Sequence, residues 1–570
     1  MRRWNGWGDE ATTFALPDGA DAFLSRVVGP SVAPTDATLA LTVAAVEAAG
    51  VPAIPGHALV STEPEDRLRH ARGQSLPDWI ALRSGRIGRV PDGVARPASA
   101  KDVRALIAWA RETGMRLVPY GGGTSVLGQL AAPDEAPYIS VDLGRMAGLM
   151  SLDPASGLAT FGPGTAGPDV ESALATAGRT LGHYPQSFEL STVGGWIATR
   201  SVGQQSIGYG RIDERFAGGT LESPAGTLRM PPHPASAAGP DVRQVVLGSE
   251  GRLGIVTEAV LRTSPLPEDE RFHAVFFPDW ERAYAAAHEL AGAELPLSMI
   301  RFSTPAETET NLALAGHPGT MRALRAYLGL RGAGRGRAMA VIGAAGGHAT
   351  VSVALLEAFG ILGRHGGVRA PRVGEEWRRN RFRTPYLRDA LWSAGYAVDT
   401  LETAADWSVV PALLAELAPK MRRALEAEGE RVHAFAHLSH VYPSGSSVYV
   451  TYVYRLAPDP DATLARWRTV KDAASEVIVR LGGTISHQHG VGRDHRRWLP
   501  AEKGELGIRL IESLAATLDP DGIMAPGNLV AGPARGDRPR PGAARARRSG
   551  AAAAGGSGGA APTHDGSPDA

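Results

Sequence analysis

Two histidines separated by one residue lie in segment 486–492, after a helical pattern that ends at a pair of glycines. Side chains at i and i+2 of an extended segment point to the same side. His487 and His489 are therefore candidates for metal ligands, for an acid and a base, or for surface residues. A metal site needs three or four ligands, and no other cluster of His, Asp or Glu nearby has ligand spacing, so we predict no metal. The isolated histidines assigned to packing or to the surface are His183, His273 and His433.

Tyrosines are concentrated in the segment Val448 to Tyr454. Alternation along a strand puts Tyr449 and Thr451 on one face and Tyr452 on the other, together with Tyr454. A phenol can donate or accept a proton. However, the preference of aromatic residues for strands accounts for the pattern without any catalysis, so the residues alone favour core packing here.

Three segments combine glycines with hydroxyl side chains, at 121–125, 185–196 and 248–256. Without a Cβ atom the backbone can approach an anion closely, and successive N–H groups in a tight turn form an anion-binding concavity. Each segment alone is compatible with an ordinary turn, and the first is not a Rossmann fingerprint because no clear helix begins at its end. All three together, in this order, favour one shared diphosphate site.

Regular elements must position these segments, and their signals are strongest in residues 89–268. Ser99 to Asp102 has the pattern of a capping box, apolar residues then recur at helical spacing, and Gly114 ends the predicted helix. The strand Arg116 to Tyr120 leads directly into the first glycine segment. Strands and helices are mixed, which indicates an α+β fold. The other predicted elements are the strands Tyr138 to Leu143, Leu158 to Phe161, Ala338 to Ile342 and Val448 to Tyr454, and the helices Asp169 to Ala177, Trp280 to Ala291, Val351 to Leu362 and Val410 to Glu426.

Composition excludes several classes of chemistry and partner. The chain of 570 residues contains no cysteine, which excludes disulfides, thiolate catalysis and cysteine-ligated metals. Lys plus Arg equals Asp plus Glu at 59 each, which gives no reason to expect nucleic acid or an anionic membrane as the main partner. We expect no spanning helix, no signal peptide and no Ser-Lys-Leu peroxisomal address. A cytoplasmic protein with at most peripheral membrane contact is expected, with a disordered tail at 531–570, where large apolar side chains are missing.

The order of the glycine segments resembles the flavin-binding domain of the vanillyl-alcohol oxidase and para-cresol methylhydroxylase superfamily. The resemblance implies an α+β protein with a two-subdomain flavin-binding fold that encloses FAD, plus an α+β substrate (cap) domain. The implied divisions are an N-terminal helical segment at 1–88, the FAD-binding domain at 89–268, the substrate domain at 269–485, a C-terminal segment at 486–530 that completes the active site and packs on the FAD domain, and the tail at 531–570. The implied FAD contacts are Pro119, Tyr120, Gly121, Gly122, Gly123, Thr124, Ser125, Gln186, Ser187, Phe188, Glu189, Leu190, Ser191, Thr192, Thr199, Arg200, Ser201, Val202, Glu250, Gly251, Arg252, Leu253, Gly254, Ile255 and Val256.

The attachment of the flavin can also be predicted from the sequence. Many members of this superfamily tether FAD through a histidine in or near the first glycine segment, or through a cysteine. Here Tyr120 precedes the glycines, that segment holds no histidine, and the chain has no cysteine. We therefore predict that FAD is bound without a covalent bond.

Within the superfamily, the chain is similar to the alkyldihydroxyacetonephosphate synthase family of ether-lipid enzymes over about residues 1–530. The match begins at Arg3 to Gly8, which the wider superfamily does not share. The resemblance implies a transferase that exchanges the acyl chain of acyl-dihydroxyacetone phosphate for a fatty alcohol through a flavin N5 adduct, without net redox change. The implied partners are these small molecules, and the oligomeric state stays open, with a homodimer as one candidate. The other matched segments are Phe188 to Trp196, Tyr386 to Asp389, Ser486 to Gly492 and Ala525 to Leu529.

The resemblance also implies roles for individual residues. Tyr449 matches the family's proton donor and acceptor, and His487 and His489 match two of its three consecutive histidines. Arg301 matches an arginine needed for activity, and Arg388 matches one that binds substrate, for which a guanidinium fork suits a phosphate. A phenol loses its proton near neutral pH only if positive groups stabilise the phenolate, which gives a reason for these groups to converge.

The chain departs from the family at three glutamines. Gln488 replaces the middle histidine of the triplet, and Gln204 and Gln205 stand where eukaryotic members carry lysines. Glutamine forms hydrogen bonds but does not transfer a proton at neutral pH.

Two other interpretations stay open. One is an FAD-dependent dehydrogenase or oxidase of 2-hydroxy acids, of the D-lactate or glycolate type, in which arginine holds a carboxylate and histidine acts as the base. The other is a flavin- or lipid-binding protein without turnover. The same fold hosts the transferase and the 2-hydroxy acid dehydrogenases, so the fold does not decide between these two activities.

Overall fold

The strands of the molecule form four sheets in the described part of the chain. A computed structural model describes residues 2–51, 54–131, 136–314 and 318–530, and the tail predicted at 531–570 lies outside these residues. The strands are β1 Val60–Ser61, β2 Gly93–Ala95, β3 Arg116–Tyr120, β4 Tyr138–Asp142, β5 Leu149–Asp153, β6 Leu158–Phe161, β7 Arg179–Thr180, β8 Phe216–Ser223, β9 Gly226–Met230, β10 Ile255–Arg262, β11 Ser264–Pro265, β12 Asp269–Phe277, β13 Met299–Ser303, β14 Ala338–Gly346, β15 Val368–Ala370, β16 Tyr396–Asp406, β17 His433–Val441 and β18 Gly445–Arg455.

Helices cover these sheets and connect many of their strands. No helix in the described ranges is long and apolar enough to cross a membrane. The helices are α1 Ala20–Val27, α2 Leu39–Ala48, α3 Pro64–Arg69, α4 Leu76–Ser84, α5 Ala100–Thr113, α6 Gly167–Ala175, α7 Val193–Thr199, α8 Ser206–Tyr209, α9 Ile212–Arg215, α10 Arg243–Val246, α11 Trp280–Gly292, α12 Pro305–Leu314, α13 Pro318–Leu330, α14 His348–Arg364, α15 Pro371–Asn380, α16 Thr384–Ser393, α17 Val410–Arg423, α18 Pro460–Leu481 and α19 Leu499–Leu518, with short 3-10 turns at Glu426–Glu428 and Arg496–Trp498.

The first sheet has the order β1-β2-β4-β3, with β2, β4 and β3 parallel and β1 antiparallel at the edge. Helix α5 begins where the Ser99 side chain accepts a hydrogen bond from the Asp102 backbone, as predicted, and it ends at Gly114 with φ of 72°. The Asp102 carboxylate accepts from the backbone amide of Ala98 at 2.9 Å. Strand β3 then delivers the chain to the first glycine segment at the predicted residue.

A second sheet is antiparallel in the order β5-β6-β10-β8-β9. The third glycine segment runs into its strand β10, and the second leads into helix α7, which packs in the core of this sheet. Two predicted boundaries shift for local reasons. Helix α6 begins at Gly167, two residues early, because Pro168 fits the first turn, where its missing N–H costs nothing. Strand β4 stops at Asp142 because its neighbour β3 ends at the paired residue Tyr120, whose carbonyl accepts the last bond from the Leu143 amide.

The largest sheet is antiparallel, in the order β15-β12-β14-β13-β17-β18-β16. Helices α11, α14, α17 and α18 bury their apolar faces in its core. Strand β17, which was not predicted from the sequence, lies between β13 and β18. In strand β18, Tyr449 pairs with Glu402 of β16 on one side and with His437 of β17 on the other.

We propose that the chain divides near residue 268, because strands β1 to β11 precede this point and every strand of the largest sheet follows it. The segment before residue 89 contains helices α1 to α4 and strand β1, which pairs with β2. At the other end, residues 523–525 return to β3, where the Leu117 amide donates to the Ile523 carbonyl at 2.8 Å and the Ala525 amide donates to the Leu117 carbonyl at 2.8 Å.

Candidate flavin and active site

The first two glycine segments lie directly against each other. A Cβ atom at Gly122 would collide with the carbonyl oxygen of Leu190, and one at Gly121 would collide with the hydroxyl of Thr192. The turn after β3 therefore has to be glycine, because the Leu190 carbonyl and the Thr192 side chain occupy the space of a Cβ atom. This is the close approach that the sequence pattern predicts.

The third glycine segment joins them from the other side. A Cβ atom at Gly251 would lie 2.9 Å from Pro119 Cγ, and the Glu250 amide donates to the Ala198 carbonyl at 2.8 Å. Glu250 itself has φ of 50°, a left-handed conformation that is uncommon outside glycine. The four predicted cofactor segments therefore meet in one place.

These residues fit a dinucleotide. Thr192 Oγ1 is buried beside Gly121 and has no hydrogen-bond partner in the described part of the chain, so it is available to a ligand oxygen. Two charged members of the predicted set are used within the protein instead. Arg200 donates to the Leu247 carbonyl at 3.1 Å, and Arg252 pairs with Asp519 at 2.5 Å.

Glu250 connects the predicted cofactor segments, called the flavin segments below, to residues 486–492, called the histidine segment. Its carboxylate accepts from the backbone amides of Val491 and Gly492, the latter at 2.8 Å. Burial raises the pKa of Glu250 to about 7, although these two amide bonds oppose the shift. Gln129 also contacts the histidine segment: its side-chain amide donates to the His489 carbonyl at 2.9 Å. Asn528 donates to the carbonyls of Gln129 and Glu250 at 3.1 and 3.2 Å.

Tyr449 lies between two imidazoles. Its ring stacks on that of His437 with centroids 4.8 Å apart and planes 18° from parallel. The His489 ring approaches edge-on, 6.4 Å away. The tyrosine is half-buried. Desolvation raises the pKa of Tyr449 above its usual range, and the negative charge of Glu402 adds to this effect.

His437 is held by the ion pair of Arg301 and Glu307, which was not predicted from the sequence. Its Nδ1 lies 2.9 Å from Glu307 Oε1 and 3.2 Å from Arg301 Nη2, and the same arginine nitrogen donates to Glu307 at 2.7 Å. Burial alone raises the pKa of Glu307, but the charges of His437 and Arg301 outweigh it and lower the pKa to about 2. Arg301 therefore reaches Tyr449 through His437.

His487 belongs to a second polar group around Glu402. Its Nδ1 lies 3.2 Å from Glu402 Oε1, and its Nε2 lies 2.9 Å from the Tyr442 hydroxyl. The Gln488 amide donates to the other oxygen of Glu402. The His440 ring is 5.1 Å from that of His487. Burial lowers the pKa of His440 to about 3, so this imidazole is neutral at physiological pH.

Arg388 lies against the N-terminal region. Its guanidinium sits over the Trp79 ring at 4.4 Å, and Nη1 donates to the Gln74 carbonyl. Nε donates to the Val398 carbonyl of β16 at 3.3 Å. Nη2 is buried and has no partner among the described residues, so a donor remains for a ligand anion.

The two distant motifs Arg3 to Gly8 and Tyr386 to Asp389 form one contact. A Cβ atom at Gly6 would collide with Asp389, and one at Gly8 with the Tyr386 ring. The Trp7 amide donates to Asp389 at 3.2 Å. Each motif therefore requires the shape of the other.

The isolated histidines lie in packing or hydrogen-bond contacts. His183 is buried with Nε2 3.1 Å from Ser201 Oγ, His273 packs edge-on against Phe359, and His433 lies 2.9 Å from Thr310. The side chains that the sequence did not select are Glu307, Glu402, His437, His440 and Tyr442. A signal was present for Glu402, a carboxylate inside an otherwise uncharged part of β16, but no local spacing related it to residue 487.

Comparison with known proteins agrees with this geometry. A model of the FAD binding domain matches residues 91–230, and a model of the C-terminal domain of FAD linked oxidases matches residues 266–529. Alkyldihydroxyacetonephosphate synthase of Dictyostelium discoideum is 30% identical over 475 residues, which cover 81% of this chain and 77% of the relative. A solved alkyldihydroxyacetonephosphate synthase has a TM-score of 0.74 at 25% identity and covers 92% of this chain and 98% of its own. The structure of p-cresol methylhydroxylase, at 14% identity and a TM-score of 0.64, covers 88% of this chain and 99% of its own and confirms the fold alone.

The cofactor is accordingly FAD, and the α+β flavoprotein fold implied by the family resemblance is confirmed. By identity, coverage and fold, the chain belongs to the alkyldihydroxyacetonephosphate synthase family of FAD-dependent enzymes.

Proposed function

We propose that this chain exchanges the acyl group of acyl-dihydroxyacetone phosphate for a fatty alcohol and so forms alkyl-dihydroxyacetone phosphate. The bond between C1 and the fatty-acid oxygen breaks, the alcohol oxygen bonds to C1 as it loses its proton, and no net oxidation occurs. Family membership supports this assignment. The observation that carries it is Tyr449, held between His437 and His489 beside the segments that meet at Glu250.

In this proposal Tyr449 moves the C1 proton. Because its pKa is raised, the phenol holds its proton at neutral pH and is suited to donate it. The opposite step, in which the Tyr449 phenolate accepts the C1 proton, needs positive charge near the phenolate oxygen. Arg301, in contact with the His437 ring that stacks on the phenol, supplies the nearest such charge among these groups.

Arg388 is proposed to bind the substrate phosphate. Two of its nitrogens are fixed by the carbonyls of Gln74 and Val398, and Nη2 remains as a buried donor. A charge-assisted bond to a phosphate oxygen would satisfy that donor. The contact with Trp79 keeps the guanidinium plane from turning away.

Bound FAD would supply an electron-rich ring nitrogen beside the substrate carbon. We propose that it is held without a covalent bond. His70 is the imidazole in ring contact with Tyr120, at 4.6 Å, and both of its nitrogens are engaged, with the Asp66 carbonyl at 2.7 Å and with Asp142 at 3.2 Å. Acid precipitation should leave the yellow colour in the supernatant, and colour retained in the pellet would contradict the proposal.

Product analysis tests the transferase directly. Purified flavoprotein is incubated with acyl-dihydroxyacetone phosphate and a radiolabelled fatty alcohol, and the expected label appears in an alkali-stable ether lipid with release of free fatty acid. The contrary result is fully bound FAD without labelled ether. Anaerobic bleaching of the flavin by D-lactate or glycolate in that sample would instead identify a 2-hydroxy acid dehydrogenase.

A further inference from the structure

Three buried side chains from separate parts of the chain converge beside the proposed active site. Glu402 lies on β16, His440 on β17, and His487 follows helix α18; their exposed fractions are 2%, 3% and 7%. One carboxylate oxygen and one nitrogen from each imidazole all lie within 4.8 Å of one another. We call these three residues the Glu402 cluster.

Each member of the cluster has one atom that lacks a hydrogen-bond partner within the described ranges. These atoms are Glu402 Oε1, His440 Nδ1 and His487 Nδ1. Glu402 Oε1 and His487 Nδ1 lie 3.2 Å apart, but without hydrogen-bond geometry. A buried polar atom without a partner is costly, and three such atoms in one buried cluster indicate a missing common partner.

We propose that the Glu402 cluster binds one divalent transition-metal ion, zinc in the first instance, through these three atoms. Two imidazole nitrogens and one carboxylate oxygen are a donor set typical of zinc, and three protein ligands leave the fourth tetrahedral position open. Zinc bonds of about 2.1 Å at tetrahedral angles put ligand atoms roughly 3.4 Å apart. The glutamate and His487 atoms are already at that spacing.

Outer contacts hold two of the ligands in place. The Nε2 atom of His487 is 2.9 Å from the Tyr442 hydroxyl, which fixes the ring with Nδ1 turned to the cluster. Gln488 donates to the outer oxygen of Glu402, so Oε1 stays free for the ion. Metal-binding histidines and carboxylates commonly have such second contacts. Gln488, which departs from the family triplet, is thereby the residue that orients the Glu402 carboxylate.

This inference revises the prediction of no metal. That prediction counted ligands along the chain and found only His487 and His489. The additional ligands come from β16 and β17, which the sheet brings to residue 487. The site also borders the proposed chemistry, because Glu402 is the register partner of Tyr449.

Metal binding is measured on the full-length flavoprotein, independently of turnover. The protein is stripped with a chelator, dialysed, and titrated with ZnCl₂ against a chromophoric competitor; CoCl₂ in parallel reports tetrahedral geometry through its visible bands. One high-affinity Zn²⁺ per chain is expected. His440→Gln and Glu402→Gln should each weaken binding by more than the roughly 10–100-fold typical of outer-contact variants, and Gln488→Ala by about 10-fold.

His433→Gln is the matched control, because it changes a histidine on the same strand that contacts Thr310 instead of the cluster. It should bind zinc as the wild type does. Flavin absorbance and circular dichroism verify that each variant is folded, and Gln488→Ala keeps all three ligands if a ligand variant does not fold. The absence of binding at micromolar free Zn²⁺, or binding that neither ligand variant weakens, would overturn the inference. Metal binding without ether synthesis would defeat only the transferase, and ether synthesis without metal binding only the metal site.

Discussion

The flavin segments and the polar core of the largest sheet position their functional groups by opposite means. The flavin segments are built from backbone: Gly121, Gly122 and Gly251 matter because they lack side chains, which the Thr192 hydroxyl, the Leu190 carbonyl and Pro119 would exclude. The sheet core is built from side chains, since Glu307, Glu402 and His437 each act through a carboxylate or an imidazole. Backbone sites tolerate no added atoms, whereas side-chain sites depend on charge and donor chemistry.

Electrostatics separates the two regions further. In the sheet core, Glu307 and Glu402 both have their pKa lowered: the charges of His437 and Arg301 outweigh burial at Glu307, and the interactions with His487 outweigh it at Glu402. At the junction with the flavin segments, Glu250 has only backbone amides as partners, and burial raises its pKa to about 7. Isolated dipoles therefore compensate burial less completely than full charges do.

The largest effect is expected from adding one methyl group to the flavin segments. In Gly122→Ala the new Cβ would collide with the Leu190 carbonyl, so the turn has to open and the purified protein should lack flavin, as measured by its absorbance. Gly363→Ala, in helix α14 with open space around the new atom, should stay yellow. A flavin-replete Gly122→Ala protein would show that the backbone is not the deciding element.

The same contrast explains what could be predicted from the sequence. Strand β3, the glycine after it and the stop at Gly114 depend on neighbours in the chain, and all were predicted at the correct residues. The directions of Arg200 and Arg252 were not predictable, because a motif fixes where the backbone runs rather than what a side chain meets. Glu402 and His440 are brought into place by strand pairing between distant segments, and Glu307 by the packing of helix α12 against β17; strand β17 itself was missed. The role assigned to Tyr449 came from family resemblance, not from its strand.

In the sheet core, the largest effect should come from the reacting phenol. Tyr449→Phe removes the proposed proton donor and keeps the stacked ring, so turnover should fall by about 10²–10⁴-fold while bound FAD is unchanged. Steady-state rates and flavin content on one preparation test this. Tyr454→Phe removes a hydroxyl that donates to the Thr463 carbonyl at 3.3 Å, and it should stay near the wild-type rate. Equal losses in both variants would argue for a packing role.

The charge pair under His437 gives a pH-dependent prediction. The pKa of Glu307 is lowered from 4.5 to about 2, so its contribution to stability is present above pH about 4.5 and is lost as the pH falls toward 2. That contribution is on the order of 3 kcal/mol. Glu307→Gln should therefore melt at a lower temperature than the wild type at pH 7, and the difference should shrink toward pH 3.

The matched variant is Glu309→Gln on the same helix, whose exposed carboxylate pairs with Arg325. It should follow the wild-type melting curve at every pH. A Glu307→Gln deficit that stays constant from pH 7 to pH 3 would mean that volume or packing is responsible, not charge.

The smallest effect is expected at Asn528, where the terminal segment meets the flavin segments through neutral hydrogen bonds. Asn528→Ala leaves the carbonyls of Gln129 and Glu250 without this donor and should lower the free energy of unfolding by about 1–2 kcal/mol. Asn528→Asp keeps the shape but turns an acceptor toward two carbonyl oxygens, so it should be less stable than the alanine variant. Chemical denaturation followed by flavin fluorescence ranks the three proteins. If aspartate is as stable as asparagine, the bond direction is wrong, and the connection between the flavin and histidine segments depends on Glu250 and Gln129 alone.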